Sequence, residues 1–324
     1  GEPPAGRRPL MSVRYAESLT KGVDYGPCGH PERYDSDRVL GDKIRRFVEM
    51  LADSQRCVVH TGAGISTSCG IPDFRGPTGV WTLEKEGKKM APPPVRFENA
   101  IPSLTHMAIL GLLQAGKVQY IVSQNVDGMH LRSGVPLDRI SELHGNIFIE
   151  KCQECRKVYQ RDFEIETVGL KPTGRHCACG APLHDFVLDW NDALPEPAYS
   201  TAQEQSESAD LSLCLGTSLR IQPANLLPVS TTRKGGGKMV AVNLQATGKE
   251  RYTALHLYCT TDYAMQQAMR HLGLPIPVYR VVRPVVVSHD WSALKAESDQ
   301  EAEPKAACML TVRVGDRPNC PYVA

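Results

Sequence analysis

Four short apolar runs in this chain each stop at a glycine or a small polar residue. Cys57-Val58-Val59-His60 runs into Thr61-Gly62-Ala63-Gly64, and Val118 to Val122 into Ser123-Gln124-Asn125. Leu211 to Leu215 runs into Gly216-Thr217-Ser218, and Met239 to Val242 into Asn243-Leu244-Gln245. Runs this short and this apolar read as strands buried on both faces. Helical spacing lies between them. Ile44, Phe47, Val48 and Leu51 mark a helix over 42–52, Leu104 to Leu113 a second after Pro102, and 261–272 a third before Gly273. Strand, turn, helix and strand again predicts an α/β fold on a Rossmann-like, open parallel sheet. The polar residues just past each strand mark the edge where such sheets bind ligands.

Composition narrows the class. The 324 residues fit one large domain, or one carrying a smaller inserted module. An apolar share of 41% supplies a core and excludes disorder throughout. A net charge of +1 excludes a nucleic-acid clamp that works by bulk charge. No run approaches the roughly 18 apolar residues of a membrane span, so no membrane partner is expected. Residues 1–10 (GEPPAGRRPL) lack the apolar stretch of a secretory signal and are set aside as a loose extension or an expression remnant. Eleven cysteines, an odd number with four of them clustered, point to a reducing compartment, cytosol or nucleus.

The first glycine turn suggests phosphate binding, because glycines let backbone N–H groups approach a pyrophosphate. A turn without a ligand has equal weight on this stretch alone. Thr67 stands where the dinucleotide fingerprint has its third glycine, and no acidic residue clearly ends a second strand about twenty residues on. Both absences count against an ordinary dehydrogenase. The following loop, Gly70-Ile71-Pro72-Asp73-Phe74-Arg75-Gly76, sets a carboxylate, a ring and a guanidinium together. Arg75 is a candidate for a phosphate and Phe74 for a planar ring.

Cys152-x-x-Cys155 and Cys177-x-Cys179 offer four thiolates, a donor set that suits a tetrahedral, structural zinc ion. His176 is an alternative fourth ligand, and redox or free thiols are the competing reading. The segment 156–176 is polar, so a small module there needs the metal as a staple. Cys28, Cys57, Cys69, Cys214, Cys259, Cys308 and Cys320 read as small apolar residues or incidental thiols. His144 follows the polar strand end at 123–128 and precedes the cysteine module, which places it at a cleft between the two. It is the candidate general base. His106 and His130 read as structural, and His60 as part of its strand.

Taken in order, Gly62-Ala63-Gly64-Ile65-Ser66, Pro72-Asp73-Phe74-Arg75-Gly76, Gln124-Asn125-Val126-Asp127, His144-Gly145-Asn146, the four cysteines, Gly216-Thr217-Ser218 and Val242-Asn243-Leu244 resemble the sirtuins, NAD-dependent protein deacylases. The resemblance covers roughly residues 11–277. Gly79-Val80-Trp81-Thr82 and Leu188-Asp189-Trp190 look like the nuclear class IV branch. Met11-Ser12-Val13-x-Tyr15-Ala16 looks like the start of a member of that branch, which favours Met11 as a natural start.

The resemblance implies a division into an arm (1–40), a Rossmann-like NAD-binding part (41–150 and 188–277), an inserted zinc module (151–187) and a tail (278–324). It implies NAD contacts at Ala63, Thr67, Phe74, Arg75 and Trp81 near the pyrophosphate and nicotinamide. Gln124 and His144 would face the nicotinamide ribose, with Asn125 and Asp127 supporting that pocket as catalytic residues. Gly216, Thr217, Ser218, Asn243, Leu244 and Gln245 would hold the adenosine side, with Thr261 at its far end. Leu188, Asp189 and Trp190 would offer an edge to an extended acyl-lysine peptide, alongside Ile221. The implied reaction has the acyl oxygen attack C1′ of the nicotinamide ribose, and His144 then act as base on a ribose hydroxyl. Its products are lysine, nicotinamide and O-acyl-ADP-ribose.

Pro72, Phe74, Val80, Leu188 and Ile221 are expected to form one apolar channel for a long acyl chain. Substrates would be acyl-lysine proteins such as histone tails, with chromatin or the nucleosome as partner and the nucleus as location. The tail past 277 shows no Lys/Arg cluster, so that location rests on resemblance. The single residue between Cys177 and Cys179 is shorter than the branch's pattern. Cys259-Thr260-Thr261-Asp262 lacks the family's aromatic character near the adenine. The loop after Gly76 is shorter than in most sirtuins and implies a stiffer site, one that holds NAD without peptide. The alternatives are protein mono-ADP-ribosyl transfer and a non-catalytic, chromatin-bound NAD or ADP-ribose sensor. The sensor has no need of His144, Asn125 and Asp127.

Overall fold

The computed structural model describes residues 15–280, apart from 17, 92–94 and 235. The readings on the first fourteen residues, on the tail beyond 280 and on Cys308 and Cys320 lie outside the described residues. In chain order, α1 (Asp37–Asp53) leads to β1 (Cys57–Thr61), two single helical turns (Ala63–Ile65 and Thr67–Cys69) and α2 (Val80–Lys85). Next come α3 (Leu104–Gln114), β2 (Tyr120–Ser123), α4 (Met129–Ser133) and β3 (Ile140–Glu142). A block of strands follows: β4 (Gly145–Cys152), β5 (Val158–Gln160), β6 (Pro172–His176) and β7 (Pro182–Val187). The rest are α5 (Ala198–Glu207), β8 (Leu211–Leu215), α6 (Leu227–Lys234), β9 (Lys238–Val242), β10 (Leu255–Leu257) and α7 (Thr261–His271). No helix among the described residues is long and apolar enough to cross a membrane.

The main sheet has six parallel strands in the order β10-β9-β8-β1-β2-β3. Val59 of β1 lies between Ile121 and Leu213, so the central strands pack apolar residues on both faces. That burial is why the four runs carry no polar alternation. From β1 the chain winds one way through β2 and β3, then returns to the other side through β8. The ends of β1 and β8 therefore flank the switch point where an open α/β sheet has its crevice. One core cluster takes the faces of α1, α3 and α7, including Phe47, Leu51, Ile109, Leu112 and Met265.

One expectation changes. Helix α1 starts at Asp37 rather than 42, because Asp37, Arg38 and Val39 are exposed and only Leu40 in the first turn packs against the core. The glycine turn after β1 leads only into the two short turns, so no long helix points its N-terminus at the crevice. The glycines there have a second cause. A Cβ on Gly62 would lie 2.8 Å from the Gly216 carbonyl oxygen, and one on Gly64 2.8 Å from the Gly216 Cα. Backbone is pressed against backbone, with Gly64 N–H donating to the Gly216 carbonyl at 2.9 Å.

The second sheet is antiparallel, in the order β5-β4-β7-β6. Around the cysteines its core is small: Cys152, Cys177 and Leu183, with Tyr159 and Ala181 packed against them, while Ile147 and Phe148 of β4 and Val187 of β7 are buried in a separate, larger cluster. Gly145 opens β4 at φ +90, and a Cβ there would fall 1.9 Å from the Phe186 carbonyl oxygen. Gly145→Ala must both push β4 from β7 and adopt a conformation L-residues avoid. We expect it to cost roughly 3 kcal/mol or more in denaturant unfolding, and to disturb the neighbouring His144.

Burial sets the acid response. His60, His106 and His130 are pushed down to about 3, and His144 to about 4, chiefly by desolvation. Desolvation lifts Glu142 to about 8 and Glu164 to about 7. Below pH ~6.5 the unfolded chain takes up histidine protons that the fold refuses, so stability falls with pH. The two glutamates hold protons in the fold and act in the opposite sense above pH ~4.5. Four groups against two leave a net loss of roughly 2 kcal/mol per pH unit as the pH falls from 6.5 to 5. Thermal unfolding across that range checks this, and a flat Tm would contradict it.

Candidate functional site

Three connected cavities run along the strand ends. The waist, about 110 Å³, is lined by Ala63, Phe74, Arg75, Trp81, Gln124, Asn125, His144, Gly216, Thr217, Ser218, Ile221, Asn243 and Gln245 among others. On one side lies a cavity of about 700 Å³, which shares Gly216, Asn243 and Gln245 with the waist and adds Thr67, Leu244 and Thr261. On the other side lies one of about 990 Å³, which shares Arg75, Trp81, His144 and Ile221 and adds Leu188, Asp189 and Trp190. Residues from distant parts of the chain thus line one continuous crevice.

His144 stands at the junction of the waist and the larger cavity. Its Nδ1 lies 3.0 Å from the Gln124 carbonyl oxygen. A carbonyl only accepts, so Nδ1 carries the proton and Nε2 keeps its lone pair. Burial pushes the imidazole down to about 4, against the pull of the Gln124 carbonyl, and the Arg75 charge adds to the fall. His144 is therefore neutral at pH 7, in the tautomer a base requires. Gln124 is itself held: its N–H donates to the Thr61 carbonyl at 3.1 Å, and its Nε2 to Thr217 Oγ1 at 3.3 Å.

Asn125 and Asp127 differ in position. Asn125 lines the waist, with its Nδ2 donating to the Gly62 carbonyl at 3.1 Å. Asp127 lines none of the three cavities. It is buried behind them, where it accepts from Ser66 Oγ at 2.7 Å and from the Met129 N–H at 3.0 Å. It ties the glycine turn to α4 and touches no ligand space. Arg75 stacks on the Trp81 ring at 4.4 Å, and its Nε and Nη2 both donate to the Tyr25 carbonyl. Burial lowers it to about 10, so it stays charged at neutral pH.

The four cysteines converge: their Sγ atoms all lie within 4.8 Å of one another. Cys152–Cys179 is 3.5 Å and Cys155–Cys177 3.4 Å, far beyond a disulfide and close to the ~3.8 Å edge of a tetrahedron with Zn–S of ~2.3 Å. Tyr159 lies beside them, its hydroxyl 3.2 Å from Cys177 Sγ. The donor set suits one zinc ion and closes its coordination, so the metal is structural. His176 is not part of the cluster.

The Sir2 family pattern matches residues 89–223. The chain is 44% identical over 282 residues to the NAD-dependent protein deacetylase Sirt6 of Drosophila melanogaster, covering 83% of this chain and 87% of that relative. The chain belongs to the Sir2 family. It is 50% identical over 272 residues to the NAD-dependent protein deacetylase SRT1 of Oryza sativa subsp. indica, with 83% of this chain and 56% of that protein covered. It thus spans little more than half the length of SRT1. Among solved structures, a Sir2 complex with a p53 peptide and NAD+ superposes with a TM-score of 0.55 at 29% identity, over 71% of this chain and 98% of the other.

As a sirtuin, the chain departs from two of the sequence expectations. The five residues expected to form one acyl channel are dispersed. Pro72 lines the 700 Å³ cavity, Phe74 the waist, Leu188 the 990 Å³ cavity, Ile221 both of the last two, and Val80 lines none of the three. The loop folds back through Val80 N–H to the Asp73 carbonyl and Trp81 N–H to the Phe74 carbonyl, which turns Val80 into the core. The larger cavity takes its apolar wall from the arm instead, through Tyr15, Leu19, Val23 and Tyr25. Nothing in the irregular run 11–40 signalled this, because the arm's role depends on Tyr25 stacking on Trp81 at 4.9 Å.

The 188–190 edge differs as well. The Leu188 N–H donates to the His144 carbonyl, that of Asp189 to Asp192, and that of Trp190 to the Asp189 carboxylate. All three donors are engaged, and the Asp189 carbonyl accepts from the Asp192 N–H at 3.1 Å, so the edge is not an open ladder.

Proposed function

We propose that this sirtuin is an NAD-dependent protein-lysine deacylase giving nicotinamide and O-acyl-ADP-ribose. The observation that carries the reading is a neutral His144, fixed in its Nδ1–H tautomer, where the two large cavities meet. The glycine turn and the loops after β8 and β9 would take the dinucleotide, and the 990 Å³ cavity the acyl-lysine. Arg75 would face phosphate charge, and Asn125 would keep the floor of the waist rigid. Exclusion of water by Phe74, Trp81 and Ile221 favours the oxocarbenium-like transition state over hydrolysis. Asp127 would act through the turn it ties down. The zinc holds the second sheet and takes no chemical part.

Mass spectrometry of the products from NAD and acetylated or myristoylated histone-tail peptides tests this reading, with His144→Ala as the control. Stoichiometric O-acyl-ADP-ribose is the expected product. The volume and apolar arm wall of the larger cavity support long chains, so the myristoyl peptide should be at least as good a substrate as the acetyl peptide. Tight NAD binding without acyl transfer would favour the sensor, and mass added to protein would favour mono-ADP-ribosyl transfer. We place the protein in the nucleus with histone or chromatin substrates on family likeness, and imaging of the full-length chain tests that placement.

A further inference from the structure

The link between β9 and β10 borders both ligand spaces. At its start Asn243 and Gln245 line the waist and the 700 Å³ cavity together. A few residues on, Gly248 and Lys249 line the 990 Å³ cavity. The link pairs with no strand along this stretch, so its shape depends on local hydrogen bonds.

Those bonds meet at His256 of β10, whose side chain is 8% exposed. Its Nε2 lies 3.0 Å from the Asn243 carbonyl oxygen, and its Nδ1 2.9 Å from Glu250 Oε1. The same Glu250 oxygen accepts from the Thr247 N–H at 2.6 Å. The Gly248 N–H then donates to the Ser218 carbonyl at 2.8 Å, which ties the link to the loop after β8. Asn243 is also held by its N–H to the Leu257 carbonyl and by its Nδ2 to the Gln245 carbonyl. One ring thus joins the residue that opens the link to the carboxylate that shapes its middle. The ring stacks on Tyr258 at 3.9 Å, and Tyr258 in turn meets Arg33 and Lys43, with Asp35 paired to Lys43. Both ring nitrogens face acceptors. A neutral imidazole donates at one nitrogen only, whereas the imidazolium donates at both.

We propose that His256 is a positioning residue: its ring braces the β9–β10 link so that the NAD side and the acyl-lysine side keep their shapes together, and the brace closes fully when the ring holds two protons. The acyl-lysine half of the inference rests on the deacylase reading, and the NAD half stands without it. His256 lines none of the three cavities, so it acts on binding through Asn243 and Lys249 rather than on the chemical step at His144. Hydrogen bonds to a charged partner are the strong ones, so their loss reaches the ligands.

The test uses the full chain and two substitutions. His256→Phe keeps a ring to stack on Tyr258 and removes both donors. His256→Arg supplies a permanent charge, a plane that stacks on an aromatic ring, and donors for both acceptors. Kd for NAD is measured by calorimetry, and kcat and KM with an acetylated peptide. His256→Phe should weaken NAD binding about tenfold and raise the peptide KM about threefold with kcat nearly unchanged, and His256→Arg should restore both to within about twofold. Lowering the pH from about 8 to about 6, the range in which an imidazole gains its proton, should tighten NAD in the native chain and not in His256→Arg. Glu250→Gln keeps an acceptor for the Thr247 N–H, and should add little to His256→Phe if the two act as one brace. An unchanged Kd in His256→Phe, a loss that His256→Arg does not restore, or fully additive losses with Glu250→Gln would overturn the proposal. If no peptide is deacylated, the deacylase reading fails, and the Kd series for NAD still decides the brace in the same directions.

Discussion

In the His144→Ala protein, turnover falls by about 10²–10⁴-fold while the fold is kept. The loss follows from geometry. The Nδ1–H is committed to the Gln124 carbonyl, so Nε2 is the only free base of a ring that lines both cavities. Gln124 holds the ring with its backbone, and its own position depends on the Thr61 carbonyl and Thr217 Oγ1. Thr217→Val should therefore lower kcat modestly, well short of the His144→Ala loss. The pH profile carries the same information. The neutral ring is the active form, so the acid limb of kcat/KM tracks a group pushed down to about 4 and lies below the ordinary imidazole value. Arg75 lowers that value, so Arg75→Met should move the limb upward as well as weaken NAD binding. A limb at or above 6.5 in the native chain would mean that His144 is not the titrating base.

The parallel sheet was legible because burial on both faces leaves continuous apolar runs, and the polar stops at Gly62, Gln124, Gly216 and Asn243 sit at one sheet edge. The four cysteines were legible because metal geometry constrains spacing. The path of the arm was not, since Tyr15, Leu19 and Tyr25 follow no period; the two tyrosines are held by ring contacts with Phe74, Trp81 and Trp190, and Leu19 is buried in the same cluster. Asp127 shows a different gap. The resemblance set it among the residues that support the nicotinamide pocket, and its oxygens are taken by Ser66 and Met129. Sequence placed it near the site but could not say which side of the wall it occupied. The Gly62, Gly64 and Gly216 contacts make the same point, since two loops 150 residues apart need glycine against each other.

Removing the zinc should unfold the cysteine end of the second sheet and silence the site without melting the parallel sheet. The small core of Cys152, Cys177 and Leu183 cannot hold the cysteine end of the sheet alone, whereas Ile147, Phe148 and Val187 are buried in a separate cluster. The buried Glu150 carboxylate, 2.6 Å from both Arg161 and Arg175, supplies order but no apolar burial. A structural zinc contributes on the order of 10 kcal/mol at neutral pH, comparable with the whole stability of a domain. The effect reaches His144 because β4 carries Cys152 at one end and begins at Gly145, beside the base. The pairing of β4 with β7 also supports the Leu188 N–H bond to the His144 carbonyl. Chelation, or Cys155→Ser with Cys177→Ser, should abolish hydrogen-exchange protection across 150–185. Protection at Cys57–Thr61 and Leu211–Leu215 should persist, because that core is separate and far larger. Cys28→Ser, outside the cluster, should leave one zinc per chain. Full activity and unchanged exchange after complete metal removal would show that the strands hold themselves, and that the four thiols are not what positions β4.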